Sequence, residues 1–312
     1  MLHMKKGRFG ELWQQRHLQI FVWLGLLYLF IFNYLPMVGL VIAFEDFKIS
    51  TGIWGMFSSK FVGFKHFIAF FTDYRFGELL WNTLALSVLK LIFTFPLPIF
   101  LALLINECQI SWFKRTVQTI SYLPYFISWI IVAGFCQILM NNTGAITELC
   151  HALFGYKPQF LTSPDLFRPL SIATAMWKET GWWAIIFLAA ITGIDPTLYE
   201  AAEIDGASRL KKIWRITLPG IAPTITVVLI LALGNLLGGG LSGSNFEQSY
   251  LLGNLGNKET SEILQTYILN IGLSKGRFSY ATAAGLFQSV ISVTLVFISN
   301  FVSKRVSGEG LF

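Results

Sequence analysis

Long apolar runs alternate with shorter polar stretches along the 312 residues of this chain. A helix needs about 20 apolar residues to cross the hydrocarbon part of a bilayer, and each run reaches or approaches that length. The pattern predicts six membrane-spanning helices, called spans one to six, over residues 18–44, 79–105, 117–140, 168–193, 221–237 and 280–302. Because six is an even number, both ends of the chain are expected on the same side of the membrane.

Prolines modify two of these predicted helices. Phe95-Pro96-Leu97-Pro98 interrupts span two, where proline removes backbone hydrogen bonds and is expected to kink the helix. Pro124 lies near the start of span three. The aromatic stretch 62–71, between spans one and two, indicates a short amphipathic helix that lies either on the membrane surface or against other loops. Residues 141–167 are expected to form an external loop.

A polar, helix-forming insert, residues 194–220, separates spans four and five. Asp195 followed by Pro196 is typical of a helix start, because the carboxylate caps free N–H groups and proline suits the first helical position. Gly206 tolerates the left-handed backbone that often ends a helix. These signals predict a short helix from Pro196 to Asp205.

The predicted short helix has a small apolar face that contains Ala201 and Ala202, whereas Glu200 lies elsewhere on its surface. Small side chains allow another backbone to come close. Ser208 is expected to cap a second, basic helix that Pro219 ends. We therefore predict that the insert is an amphipathic helical elbow.

The composition agrees with a helical membrane protein. Hydrophobic residues make up 54% of the chain and charged residues 13%, a balance that soluble domains do not have. The basic N-terminus and the first apolar run imitate a secretory signal, but the run is too long and lacks a small-residue cleavage site. We predict an all-α integral membrane protein with an N-terminal segment 1–17, a membrane domain 18–302 and a tail 303–312.

The placement of Lys and Arg predicts the orientation. With both termini and the 194–220 insert on one side, that side holds twelve basic residues, whereas the longer loops of the opposite side hold eight. Basic residues concentrate in cytoplasmic loops, so the termini and the insert are expected in the cytoplasm. The net charge of +6 is explained in this way and does not indicate a nucleic-acid partner.

Residue types that carry chemistry are sparse. Cys108, Cys136 and Cys150 are scattered and odd in number, and the four histidines are equally dispersed, so neither a disulfide framework nor a metal site is predicted. The glycines of 272–277 have the wrong order for a phosphate-binding Walker loop. No cofactor is expected on this chain, and energy for any active process must come from another chain.

The insert between spans four and five resembles the signature loop of ABC importer permeases. The similarity rests on Glu-Ala-Ala at 200–202, a glycine four residues later and Ile-x-Leu-Pro at 216–219. In that family the loop docks in a groove of the ATP-hydrolysing subunit. The resemblance implies the type I ABC importer permease fold and an ATPase-coupling role for Glu200, Ala201, Ala202, Asp205, Gly206, Leu218 and Pro219.

Further motifs are similar to the sugar-type permeases of the same family. They are Asn82-Thr83-Leu84, Ala102-Leu103 with Asn106-Glu107, and Tyr122-Leu123-Pro124. Asn33-Tyr34-Leu35-Pro36-Met37, Val62-Gly63-Phe64 and 278–283 are most similar to the importers of polysaccharides and oligosaccharides. The resemblance covers nearly the whole chain and implies a carbohydrate as cargo.

Polar and aromatic residues inside the spans are candidates for a transport path, and each also has a structural interpretation. Buried Lys90 either lines the path or bonds to backbone carbonyls that the Pro96 kink frees. Lys178 either takes part in transport or pairs with its neighbour Glu179.

Two other candidates are uncharged. Trp177 offers a flat apolar face of the kind that binds sugars, although tryptophan is also common in the aromatic belt at a membrane interface. Asn235 either bonds to a neighbouring helix or lines a passage, and the family resemblance favours the passage.

The sequence therefore predicts a non-catalytic permease subunit of the bacterial inner membrane. The resemblance implies a second, similar permease, two ATP-binding cassette subunits that bind ATP and Mg²⁺, and an extracytoplasmic binding protein that delivers a carbohydrate. A self-sufficient ion-coupled carrier or channel remains the alternative, although the spans contain no acidic residue deep in the membrane apart from Glu179. A membrane enzyme would need a clustered catalytic set, and the sequence offers none.

Overall fold

The computed structural model describes residues 16–52, 54–241 and 243–307. Three of the basic residues assigned to the cytoplasmic N-terminus, Lys5, Lys6 and Arg8, lie outside the described residues, as does the end of the tail from 308 onward. The described chain forms two compact units. One contains the residues up to Thr72 with Ile271–Leu286, and the other contains Asp73–Asn270 with the residues from Phe287 onward.

In the first unit, a continuous apolar stretch forms span one over Leu18–Phe44, as predicted. It consists of an α-helix Arg16–Leu29, a π-helical turn Phe30–Tyr34, the α-helical turn Leu35–Met37 and a 3-10 helix Val38–Phe44. Short helices follow at Ile49–Thr51, Gly55–Ser58 and Lys65–Phe71, the last within the predicted amphipathic stretch. The stretch Ile271–Leu286 of this unit packs onto it through a hydrogen bond from Phe47 N to Ser279 Oγ (3.0 Å) and an edge contact of Phe70 with Tyr280.

In the second unit, span two runs over Phe76–Glu107 and is interrupted at Phe95, immediately before Pro96, as predicted. Span four is the helix Pro164–Thr192. Helix Ala145–Phe154 occupies the segment expected to be a loop between spans three and four. Beyond span five lie a 3-10 turn Leu236–Gly238 and helices Asn245–Leu252, Lys258–Ser261 and Leu264–Leu269, followed along the chain by a π-helical turn Asn270–Ser274. Span six belongs to the helix Phe278–Ser307.

Span three, predicted over residues 117–140, is a pair of helices joined at a sharp bend. Helix Ser111–Tyr122 passes into a 3-10 turn Leu123–Phe126, and helix Trp129–Met140 then departs at 98°. Pro124 has no N–H to continue the ladder, and Ser128 adopts an extended backbone in which its hydroxyl accepts a hydrogen bond from Ile131 N. A proline and a new helix cap together turn the chain.

Span five begins earlier than predicted, and the expectation that Pro219 ends a separate basic helix is wrong. The helix runs from Arg209 to Gly234 as Arg209–Lys212, a π-helical turn Ile213–Thr217 and Leu218–Gly234. Pro219 is the second residue of the α-helical part, and the helix continues through it.

Among the described residues, four helices are long and apolar enough to cross a membrane, and there are six when each of two bent helix pairs counts as one span. Among the described residues, the apolar core of the second unit includes two clusters. One contains Leu86, Phe167, Leu170 and Ile263, and the other contains Ala102, Phe187, Ile191 and Ile221. The all-helical prediction with up to six spans is thus confirmed.

Candidate functional site

The elbow predicted between spans four and five is present. Its first helix is Pro196–Ile204, and the side chain of Asp195 accepts a hydrogen bond from Thr197 N (2.9 Å). That hydrogen bond holds the pKa of the Asp195 carboxyl below its usual value. Asp205 directly follows the last helical residue and caps the helix. Gly206 has the expected left-handed backbone, with φ of +69°. We call Pro196–Ile204 the elbow helix.

The elbow helix is open to its surroundings, because none of its residues is buried. Glu200 and Ala201 are exposed, whereas Ala202 is half-buried. Large apolar side chains are also exposed here: Leu198 at 52% and Ile204 at 87%. An uncovered helix that carries apolar side chains beside a carboxylate has the surface of a docking element.

Three contacts hold the elbow helix, and Ile194 two residues before it, against the start of span five. The hydroxyls of Tyr199 and Thr217 are 2.9 Å apart, and Lys212 Nζ donates to Glu203 Oε1 at 2.7 Å. The ammonium of Lys212 keeps the pKa of Glu203 below its usual value. Ile194 lies where a side chain on Gly220 would stand, with Cδ1 2.7 Å from the position of an added Cβ.

Sequence reasoning missed the contact between Tyr199 and Thr217. A tyrosine in a polar helix and a threonine 18 positions later carry no local signal of contact. Of the other residues assigned to coupling, Leu218 is half-buried at the start of the α-helical part of span five, and Pro219 is exposed beside it.

Lys90 lies in span two with only 1% of its surface exposed. Its ammonium donates to Ser244 Oγ at 2.9 Å. The interpretation in which Lys90 bonds to carbonyls freed by the Pro96 kink is therefore wrong about the partner, which is a hydroxyl beyond the end of span five. The interrupted helix did not supply the acceptor, because the chain after Gly243 folds back against span two.

Helix Asn245–Leu252 places further polar groups against spans two and four. Asn245 Nδ2 donates to Ser87 Oγ (2.8 Å), and Gln248 Nε2 donates to Ser171 O (2.8 Å) and Thr174 Oγ1 (2.9 Å). These side chains are buried. Together with Lys90 and Ser244 they form what we call the buried polar layer, which the sequence analysis did not identify.

Lys178 donates a hydrogen bond to the backbone at the bend of span three. Its ammonium donates to Tyr125 O at 2.7 Å and lies 5.0 Å from the Tyr125 ring centroid and 5.4 Å from that of Trp129. The bend leaves carbonyls without helical partners, and a buried ammonium that bonds to one of them stabilises the break. Tyr125 in turn stacks on Trp182, with ring centroids 4.5 Å apart.

Charged side chains are buried in spans two and four. The exposed fraction is 1% for Lys90, 6% for Lys178 and 4% for Glu179. Glu247, on helix Asn245–Leu252, is exposed. Charged residues buried inside a membrane are costly, so the three buried ones mark either a structural role or a transport path.

Trp177 and Asn235 occupy the surface of the unit. Trp177 is 49% exposed and borders an apolar groove of about 330 Å³ between span four and helix Trp129–Met140. Asn235 is exposed beyond the end of span five and donates from Nδ2 to Gly240 O at 3.0 Å. This bond bridges a glycine-rich turn in which Gly239 and Gly240 have positive φ. Within the described residues, no cluster of His, Cys, Asp or Glu suited to a metal ion was found.

Comparison with known proteins identifies the class. Residues 94–308 match the family of binding-protein-dependent transport system inner membrane components, and the chain belongs to that family. It is an integral, multi-span permease subunit of an ABC importer, a transport component and not an enzyme. The resemblance stated from the motifs is confirmed.

Individual relatives are similar along almost the whole chain. The polygalacturonan/rhamnogalacturonan transport system permease protein YteP of Bacillus subtilis (strain 168) is 46% identical over 99% of this chain and 94% of its own length. Protein LplB of the same organism is 45% identical over 92% and 88%. The crystal structure of a bacterial ABC transporter that imports the acidic polysaccharide alginate has a chain of TM-score 0.86 and 38% identity, with 96% of this chain and 99% of that chain covered. The bacterial alginate transporter is also known in complex with an alginate pentasaccharide-bound periplasmic protein, and its matching chain is 37% identical.

Proposed function

We propose that this permease carries an oligosaccharide or polysaccharide, released by an extracytoplasmic binding protein, through a path that it shares with a second, similar permease. Two ATP-binding cassette subunits bind ATP and Mg²⁺ and drive the cycle. The observation that carries the choice of cargo is the 46% identity, over 99% of the chain, with a permease for polygalacturonan and rhamnogalacturonan. The alginate importer supports the same class of cargo.

The elbow helix is the proposed contact with the ATPase. Its small face at Ala201 and Ala202 allows close approach of a groove, and the exposed Leu198 and Ile204 add apolar area. Exposed Glu200 is available to pair with a cation of the ATPase. Gly206 permits the turn that carries the chain from the elbow helix into the basic start of span five.

The buried polar layer is the proposed wall of the path. Asn245 Oδ1 and Gln248 Oε1 are buried acceptors that have no hydrogen-bond partner among the described residues. A buried acceptor without a hydrogen bond costs about 1–3 kcal/mol. Such acceptors are therefore expected where water or a ligand donates the missing hydrogen bond. Sugar hydroxyls are suitable donors. Lys90, Trp177, Lys178 and Asn235 remain predicted path residues.

The orientation follows from the charge distribution. We propose that both termini and the elbow are cytoplasmic, where the ATPase binds, and that the loops between spans one and two and between spans three and four are extracytoplasmic. Ser208 and Ser58 are exposed and suit a labelling experiment. A cysteine at position 208 should react with an impermeant maleimide only from the cytoplasmic side, and one at 58 or 163 only from outside. Labelling of position 208 from outside would reverse the orientation.

Copurification followed by reconstitution tests the assignment as an importer. The chain should copurify with a second permease and with ATPase subunits. Liposomes that contain the complex should take up oligogalacturonides or alginate oligosaccharides only with internal ATP and the binding protein. Uptake by this chain alone under an ion gradient would instead establish the carrier alternative.

The variant Glu200→Lys tests the elbow within this assembly. It places a like charge against the proposed cation, and such repulsion in a partly desolvated groove costs several kcal/mol. We expect weaker binding of the ATPase or hydrolysis that no longer responds to cargo. Glu259→Lys changes another exposed carboxylate, far along the chain, and serves as the matched control. Normal cargo-stimulated hydrolysis in Glu200→Lys would exclude the proposed contact.

A further inference from the structure

The elbow helix is attached to span five by side chains as well as by the backbone. The pair Tyr199 and Thr217 joins its first turns to the π-helical turn of span five, with their hydroxyls 2.9 Å apart. Thr217 is 1% exposed and Tyr199 is partly buried, so water competes poorly for this hydrogen bond. The pair Glu203 and Lys212 ties the last turn of the elbow helix to the first helical residues of span five.

The backbone closes the same corner. Ala207 N donates to Ala202 O at 2.8 Å and Gly206 N donates to Glu203 O at 3.0 Å, so the turn after the elbow helix folds back on it. The elbow helix is therefore fixed to the start of span five at both of its ends and at the connecting turn.

The junction with span four is built differently. Span four ends at Thr192, and the elbow helix departs from it at 70° after a break that includes Gly193 and Asp195. Ile194, within this break, packs toward Gly220 of span five. The break is a short non-helical connection, and such connections absorb backbone rotation more readily than a helix does.

We propose that Tyr199 is a positioning residue, whose hydrogen bond to Thr217 makes the elbow helix and the start of span five one rigid lever that rotates about the break at 193–195. The proposal rests on the proposed contact between the elbow and the ATPase, and it adds which span receives the motion. Movement of the ATPase groove then reaches span five directly, and span five leads into the segment that carries Ser244 and Asn245 of the buried polar layer.

Spin-label distance measurements on the assembled complex test the lever. The three native cysteines are free and would be replaced, as Cys108→Ser, Cys136→Ala and Cys150→Ser. Labels at Thr197→Cys and Leu231→Cys report the angle between the elbow helix and span five. Labels at Thr197→Cys and Asp165→Cys report the angle between the elbow helix and span four. Residues 165, 197 and 231 are all exposed.

If the lever is rigid, we expect a narrow distribution of the 197–231 distance that is the same in the nucleotide-free and ATP–vanadate states. The 197–165 distance should differ between these two states. Tyr199→Phe keeps the ring and removes the hydroxyl, and it should broaden the 197–231 distribution, as should Thr217→Val. Thr217→Ser keeps a hydroxyl and should restore the narrow distribution. A 197–231 distance that changes with nucleotide in the unmodified elbow would overturn the lever.

The role of the hydrogen bond between Tyr199 and Thr217 can also be tested in the nucleotide-free state, by comparing the 197–231 distance distributions of the variants. A Tyr199→Phe distribution as narrow as that of the parent complex would show that the hydroxyl pair does not set the angle. If neither distance responds to ATP–vanadate, the proposed ATPase contact fails, while the nucleotide-free comparison of Tyr199→Phe and Thr217→Ser still tests the positioning role. Copurification of the ATPase with each variant shows that the measured change is not loss of assembly.

Discussion

The ammonium of Lys90 in span two donates a hydrogen bond of 2.9 Å to the hydroxyl of Ser244, 154 positions later in the chain. A single hydroxyl is a modest acceptor for a charge that is only 1% exposed, so the burial of Lys90 is costly. The contact fixes the chain beyond span five against span two. It also makes Lys90 sensitive to movement of the segment that we propose to follow the lever.

We expect Ser244→Ala to destabilise the permease more than Lys90→Met does. Ser244→Ala leaves the buried ammonium without this acceptor, which costs roughly 1–3 kcal/mol, whereas Lys90→Met removes the charge and keeps a long side chain of similar shape. Thermal unfolding of the purified complex measures both effects. A double variant that is no less stable than Ser244→Ala would support the coupling of the two residues, and equal losses from the two single variants would contradict it.

Lys90→Met also distinguishes a role of Lys90 in the transport path from a purely structural role. With Lys90 at the path, uptake falls while the complex still elutes as an intact assembly on size exclusion. Loss of the assembly itself would assign Lys90 a structural role and remove it from the predicted path. Lys90→Arg keeps the charge with a larger head group, and it serves as the companion variant in the same uptake assay.

Gly181→Ala is expected to disrupt the contact between span four and the first half of span three. A Cβ at Gly181 would lie 2.0 Å from Ser121 O, which belongs to helix Ser111–Tyr122. Backbone atoms cannot move aside as the end of a side chain can, so overpacking should cost about 1–3 kcal/mol or more. The unfolding temperature of the purified complex in detergent measures this loss of stability. Gly134→Ala is the matched control, since nothing lies within 4 Å of its added Cβ, and a similar loss there would rule out the close approach as the cause.

Gly206→Val should damage coupling without preventing insertion. The added side chain meets nothing within 4 Å, so the cost comes from the backbone, whose φ of +69° is unfavourable for a β-branched residue by about 1 kcal/mol or more. Cargo-stimulated ATP hydrolysis in reconstituted complexes is the measurement. Gly206→Asn is the control, because asparagine tolerates left-handed backbone and should retain more stimulation. Full stimulation and uptake in Gly206→Val would contradict a role for this turn in coupling.

Asp195 should keep the elbow helix capped throughout the physiological pH range. Its pKa is lowered from 3.8 by the hydrogen bond from Thr197 N, so the folded state favours the carboxylate. The stabilisation is fully present above the unfolded-state pKa and is lost only as the pH falls through the lower, folded-state pKa. Hydrogen exchange of the Thr197 amide, corrected for its intrinsic rate, should therefore show constant protection from about pH 5 to 8.

Two variants test, in the same exchange experiment, whether the Asp195 side chain caps the elbow helix. Asp195→Ala should speed exchange of the Thr197 amide, whereas Asp195→Asn, which can still accept the hydrogen bond, should preserve most of the protection. Slow exchange in Asp195→Ala would mean that the capping hydrogen bond does not hold the start of the elbow helix.

Elements whose signals are local could be predicted from the amino-acid sequence. Run length placed spans one, two, four and six within a few residues of their observed positions, because the thickness of a bilayer sets the number of apolar residues that a crossing needs. Asp195, Pro196 and Gly206 fixed the elbow helix, since capping and left-handed backbone depend on adjacent residues. The signature spacing around Glu200 was sufficient to identify the family.

The pairing of the polar groups inside the spans depends on how the helices pack and could not be predicted from the sequence. Lys90 finds Ser244, Lys178 finds the carbonyl of Tyr125, and Tyr199 finds Thr217, and each partner is remote in sequence. The same holds for the 98° bend of span three and for the π-helical turn that carries Pro219 into span five. A lone proline is compatible with a kink, a break or a helix start, and the choice depends on which neighbours satisfy the freed backbone groups.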